Sequence, residues 1–268
     1  TFASLLAIIV SFFLYPSSFM VWFVFWALLG VFAFAGMQSK KHFTVAKQPF
    51  FALAASFSFL LILIFGLGLL FIGGQKYAAE VQYLKGARAS QAGDLQEAIA
   101  KIGSAANLNP AVDIYWRDLA QLYLARLNQV AADQQLSQEE RQQLTQTVIS
   151  NAVAATRAAT EVAPENVANW NVQGFIYRSL VGIPGADDFA IASYQRAVEL
   201  EPSSPFAWTE LARAYILQAS QLGAQNLFED QDNAIESALN SLEKAIALKS
   251  DYAPAHYLVA TIYDQRGD

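Results

Sequence analysis

Cysteine is absent from this 268-residue chain, and histidine occurs only twice, as His42 and His256. The first absence excludes disulfides and thiolate metal sites without identifying a compartment. The second leaves only two rings, far apart in sequence and in expected compartment, so no histidine acid–base pair or histidine metal cluster is expected. No phosphate-cradling glycine loop and no nucleophile beside a base is present. The acidic pairs Glu139-Glu140 and Asp187-Asp188 lack the histidines or further carboxylates that a metal requires. At the starts of helices they would complement the positive end of the helix dipole. The residues thus supply no catalytic constellation, metal site or cofactor site, and any catalysis would belong to a parent protein with residues upstream of Thr1.

Acid is missing from a whole region. No Asp or Glu precedes Glu80, and residues 1–74 carry only Lys40, Lys41 and Lys47 as charged side chains, giving +3. All 23 acidic residues lie in 75–268, which is net −9. An acidic soluble part argues against nucleic acid, whose phosphates need a basic face. Residues 1–74 read as a membrane region with about three transmembrane helices: a partial one at 1–15, then 19–36 and 49–73. The first reaches Pro16 after about 22 Å of helix, short of a hydrocarbon core of roughly 30 Å. A secretory signal peptide fits poorly, because no basic segment precedes a single short apolar core. The loop 37–48 holds Lys40, Lys41, His42 and Lys47, and the positive-inside rule makes it cytoplasmic. The chain after Tyr77 is then expected outside the cytoplasmic membrane, although Lys76, Lys85 and Arg88 pull the other way.

From Glu80 onward one spaced pattern recurs. Its first half reads Trp116, Leu119, Ala120, Tyr123, then Trp170, Gln173, Gly174, Tyr177, then Trp208, Leu211, Ala212, Tyr215, and last His256, Val259, Ala260, Tyr263. Its second half reads Ala98, Ile102, Ala105, Pro110, then Ala152, Thr156, Ala159, Pro164, then Ala190, Tyr194, Ala197, Pro202, and last Ala238, Leu242, Ala245, Ser250. This resembles the tetratricopeptide repeat, a two-helix unit of about 34 residues. The resemblance implies an all-α fold: transmembrane helices followed, over 75–268, by an α-solenoid, a right-handed superhelix of helix pairs. Four repeats are complete, and the first helix of a fifth follows. Gly86, Ala120, Gly174, Ala212 and Ala260 share one place in the first helices, where a larger side chain would force the paired helices apart. Pro110, Pro164 and Pro202 stop the second helices. His256 stands where other repeats have Trp, which predicts packing rather than catalysis.

The spacing also departs from the standard. From the small residue to the next Ala the gap is 12 in the first repeat, then 32, 16 and 26, so 20, 4 and 14 residues are inserted between paired helices. Ser137 with Glu140 forms a capping-box signature, which predicts two helices lengthened by two to three turns. Gly182-Ile183-Pro184-Gly185 predicts a loop. Gly267-Asp268 falls where Gly93-Asp94 sits in the first repeat, and Thr1 lies already inside an apolar run, so a longer parent is expected.

In tetratricopeptide proteins fixed positions of the first helices line a concave groove. The resemblance carries these onto Tyr83 and Ala87, Arg117 and Gln121, Asn171, Phe175 and Arg178, Thr209 and Arg213, and Tyr257 and Thr261. Arginines interleaved with rings would grip a carboxylate-bearing peptide or an anionic glycan; the alternative is a solvated face. The lysine–asparagine clamp of chaperone-binding repeats is echoed only by Asn171. The stretch from Val10 to Gly30, with its Pro16 turn and Phe-rich second span, resembles the last two spans of the O-antigen ligase/polymerase family. That resemblance covers about 36 residues and implies a parent glycosyltransferase of the bacterial cytoplasmic membrane whose catalytic loop lies upstream. Two readings follow: a membrane-anchored scaffold binding protein, peptide or glycan partners besides membrane lipid, or the C-terminal part of such an enzyme.

Overall fold

The computed structural model describes residues 25–31 and 49–266. The first predicted span, most of the second (19–36), the lysine loop and the last two residues lie outside them. So does most of the stretch resembling the ligase family. Residues 25–31 are helical. The remaining helices are α1 (Pro49–Gln91), α2 (Leu95–Leu108), α3 (Asp113–Ala132), α4 (Gln138–Val162), α5 (Val167–Ser179), α6 (Ala186–Leu200), α7 (Pro205–Ala224), α8 (Phe228–Leu248) and α9 (Ala253–Arg266). No strand occurs among the described residues. The chain divides into two compact units, Thr1–Leu67 and Gly68–Asp268.

Among the described residues one helical segment, Leu53–Gln91, is long and apolar enough to cross a membrane. Its most apolar stretch has a mean hydropathy of 2.6 and none of it is buried. Leu60, Ile64, Phe65 and Leu69 are exposed there, an arrangement that water would penalise and hydrocarbon would not.

In the second unit successive helices pack in pairs, and the first helices of neighbouring pairs also touch, α3 with α5 and α5 with α7. Small residues set these contacts. Ala98, Ala105, Ala152, Ala159, Ala190, Ala197, Ala238 and Ala245 are all at most 2% exposed. A Cβ on Gly86 would lie 2.5 Å from the Ile102 side chain, and one on Gly174 would lie 2.7 Å from the Tyr194 ring. The steric reason expected for the small positions therefore holds in these pairs. Ala260 is exposed, because no later helix packs on α9 among the described residues.

The helix ends follow the residues. α2, α4 and α6 stop two residues before Pro110, Pro164 and Pro202, and the backbone N–H of Asn109, Ala163 and Glu201 closes each final turn on Ala105, Ala159 and Ala197. A proline disfavours helical geometry in its predecessor, which limits further extension. Each repeat is then stapled by a side chain six residues on. The indole N–H of Trp116 donates to Pro110 O at 2.9 Å, Trp170 to Pro164 O at 2.7 Å and Trp208 to Pro202 O at 2.9 Å. His256 Nε2 makes the same contact to Ser250 O at 2.8 Å. A carbonyl can only accept, so Nε2 carries the proton.

The insertions lengthen helices as their caps predict. α3 and α4 have 20 and 25 residues, against 14 in α2. The Ser137–Glu140 capping box starts α4 with both reciprocal hydrogen bonds. α7 and α8 are similarly long, 20 and 21 residues. In the third repeat Gly182 and Gly185 both take positive φ, 86° and 77°. They form the turn between α5 and α6, in a region of backbone space where glycine carries no steric cost.

Candidate functional site

The predicted groove positions separate into three environments. On α1 and α3, Tyr83 donates from its hydroxyl to Asp118 Oδ2 at 2.7 Å, while Tyr115 donates to Glu80 Oε1 at 2.6 Å. The two rings lie 4.9 Å apart. Burial, reinforced by the Asp118 hydrogen bond, pushes the Tyr83 phenol up to about 12. Tyr83 is thereby committed to the joint between the first two repeats. Gln121 and Ala87 line a shallow depression beside it with Asp118 and Ile102.

Arg117 is held at a second joint. Its Nη1 donates to Asn169 Oδ1 at 3.1 Å and lies 3.6 Å from Asp113 Oδ2. Asn169, 1% exposed, donates through Nδ2 to Asp113 Oδ2 at 2.9 Å and to the carbonyls of Ala159 and Ala163. Asn166 donates to the same carboxylate oxygen at 2.7 Å. Burial acts to raise the Asp113 carboxyl, but these amides and the Arg117 charge outweigh it and hold it below its usual range.

Two of the three arginines do come together. Arg178 Nη2 lies 2.9 Å from Glu210 Oε2, and Arg213 Nε lies 3.1 Å from Glu210 Oε1. The Arg178 guanidinium also sits over the rings of Phe175 and Tyr194, at 5.8 and 5.7 Å. Tyr194 is buried, and among the described residues its hydroxyl makes no hydrogen bond of good geometry, although Glu210 lies close enough to act on it. Burial drives its phenol well above the usual range, with Arg178 and Glu210 contributing opposite charge effects.

The trio of Arg178, Glu210 and Arg213 borders a cavity of about 980 Å³ lined further by Ile216, Ile235, Phe228, Leu258 and Ile262. It falls within the range of small-molecule and peptide pockets. Its lining mixes aliphatic side chains with a charged cluster, so it can desolvate an apolar group while pairing an anion.

The remaining positions do not join this site. Thr209 is 1% exposed and its hydroxyl donates to Pro205 O, so it presents no surface to a ligand. Asn171 has a buried Oδ1 without a partner among the described residues. Tyr257 is widely exposed, and Thr261 donates back to Tyr257 O. Glu210 and Tyr194, which organise the arginines, were not among the expected residues. Glu210 stands three positions before Arg213 on α7, a helical ion-pair spacing, and that was the available signal. Among the described residues no group of His, Asp and Glu could hold a metal ion.

No family model matches the chain, and no curated protein matches it. Among solved structures it is similar to TTC0263, a thermophilic TPR protein of Thermus thermophilus, at 19% identity and a TM-score of 0.49, covering 76% of this chain and 95% of that one. It is similar to MamA at 15% identity and a TM-score of 0.48, covering 68% and 84%. It is similar to the TPR2AB domain of yeast Sti1 in a pHSP90 complex at 17% identity and a TM-score of 0.33, covering 72% and 71%. The repeat architecture itself is carried by the spacing and the hairpins of this chain.

Proposed function

We propose that the chain is a membrane-anchored scaffold of tetratricopeptide type that binds a protein or peptide partner outside the cytoplasmic membrane. The observation that carries the binding part is the cavity at the fourth repeat, bordered by Arg178, Glu210 and Arg213. It offers shape, apolar lining and oriented guanidinium groups. Anchoring is supported by the exposed apolar segment within Leu53–Gln91, and the outward placement by the acid-free lysine loop.

Photo-crosslinking in intact membranes tests this reading. A benzophenone amino acid replaces Tyr257, which is 69% exposed and next in sequence to the cavity-lining Leu258, and a second replaces Arg157 on α4. The expected result is a discrete protein adduct from position 257 and none from position 157. Identical adduct patterns from both positions, or lipid alone, would sink the reading.

A further inference from the structure

We infer that the cavity of the fourth repeat binds an extended peptide through one carboxylate lying beside a branched aliphatic side chain. This rests on the scaffold reading and names the ligand chemistry of one site within it. The cavity is a product of this chain's own insertion. Ser220, Gly223, Phe228 and Gln231 all fall in the 26-residue gap between Ala212 and Ala238, where the first repeat has only 12. The inserted residues extend α7 and α8 beyond the common repeat length, and the extension supplies one side of the cavity.

The charge arrangement selects an anion. Among the described residues two guanidinium groups share one carboxylate, so one positive charge has no paired acid within a domain that is net −9. Glu210 engages Arg213 through Nε. Among the described residues no other partner is recorded for the Arg213 Nη1–Nη2 edge, the edge that binds a carboxylate bidentately. Arg178 is fixed by Glu210 and by the rings of Phe175 and Tyr194, so its orientation costs a ligand little entropy. Glu210 therefore orients both cations while cancelling only one of the two charges.

The lining selects what accompanies that anion. Ile216, Ile235, Leu258 and Ile262 are aliphatic, and Phe228 is the only aromatic ring among the described lining residues. Ser220, Gln231 and Gln265 also line the cavity and offer hydrogen bonds, but a sugar packs its faces on ring platforms and only one ring is present, against several branched aliphatic side chains. A Leu, Ile or Val side chain loses only water there. The carboxylate could come from an acidic side chain or from a chain terminus, which share one chemistry.

The test uses the full chain in nanodiscs and dansylated hexapeptides carrying one Leu next to one Glu. A matched set replaces Glu by Gln, and each set is made with a free or an amidated C-terminus. Glu-dependent binding identifies a side-chain carboxylate, and binding lost on amidation identifies a terminal one. Two variants probe the site. Arg213→Gln removes the ligand-facing charge, and Ser220→Trp fills the cavity from an exposed position. Arg157→Gln, in an exposed ion pair with Glu161 elsewhere, is the control. Folding of each is checked by its circular dichroism melt, and either site variant alone suffices if the other fails to fold.

The expected result is a loss of affinity of about tenfold or more for Arg213→Gln and for Ser220→Trp, with Arg157→Gln unchanged. Binding should also weaken as salt rises, since the charges are partly exposed. Peptides that bind the parent and both site variants equally overturn this site while leaving the scaffold reading intact. Equal binding of the carboxylate peptides and their neutral Gln, amidated counterparts overturns the anion assignment. If none of the peptides binds, the ligand class is wrong, and the crosslinking experiment decides the scaffold reading separately.

Discussion

At Gly174 one methyl group would decide whether α5 and α6 can pair. A Cβ there would lie 2.7 to 2.8 Å from three atoms of the Tyr194 ring. That ring is 1% exposed and lies beneath Arg178, so it has little freedom to withdraw. Gly174→Leu should therefore lower stability by about 1–3 kcal/mol, as overpacking commonly does. Gly103 makes the opposite prediction. It sits within α2, and a Cβ there meets nothing within 4 Å, so Gly103→Ala should gain about 0.5–1 kcal/mol from backbone entropy alone. Thermal melts of the two variants in detergent should move in opposite directions, and a shared direction would break the packing argument. The Trp-to-carbonyl staples belong to this scale too. Trp208→Phe keeps a ring but loses the 2.9 Å hydrogen bond to Pro202 O. A cost of about 0.5–1.5 kcal/mol is expected, read as a drop in the melting midpoint.

Between elements, the cluster of Asp113, Arg117, Asn166 and Asn169 joins the second repeat to the third. Asn169 supplies a buried donor to one carboxylate and two carbonyls. Its removal leaves those acceptors without it, so Asn169→Ala should cost about 2–3 kcal/mol in denaturant unfolding. The same joint should be acid-sensitive. The Asp113 carboxyl is held below its ordinary value of 3.8 in the folded chain. Its stabilisation is then fully present above that ordinary value and fades as pH falls through the lower folded one. The melting midpoint should fall as pH drops below about 4, and Asp113→Asn should flatten that part of the profile. An unchanged acid slope in the variant would assign the sensitivity to other carboxylates. The contrast between what the sequence exposed and what it concealed also lies at this scale. Helix ends, the Ser137–Glu140 box, the lengthened hairpins and the buried alanines are local or strictly periodic features, and all were readable from spacing. The partners of Arg117 and Arg178, and the burial of Thr209, depend on how two helices from different repeats turn toward each other. No single-helix pattern encodes that rotation, so a position equivalent by count can be a joint in one repeat and a site border in the next.

For the whole molecule the deciding quantity is the distribution of charge along the chain. Residues 1–74 hold three lysines and no acid, while 75–268 are net −9. A short loop rich in lysine is retained on the cytoplasmic side during insertion, because moving ammonium groups across the membrane against its potential is costly. The segment 37–48, expected from the sequence to be a loop, carries Lys40, Lys41 and Lys47, and the next apolar segment, within Leu53–Gln91, is long enough to reach the opposite face. The repeats that follow would then be delivered outside, where an acidic surface meets no such barrier rule. Lys76, Lys85 and Arg88 oppose this order, yet Glu80 lies among them and the loop lysines have no acid beside them. Because the chain has no cysteine, single cysteines report on topology without a background. Gln134 lies in the turn between α3 and α4 and is exposed, so Gln134→Cys in spheroplasts should react with a membrane-impermeant maleimide. Ser39→Cys, in the lysine loop, should react only after the membrane is permeabilised. The reverse labelling order would place the repeats in the cytoplasm and would move the search for their peptide partner there with them.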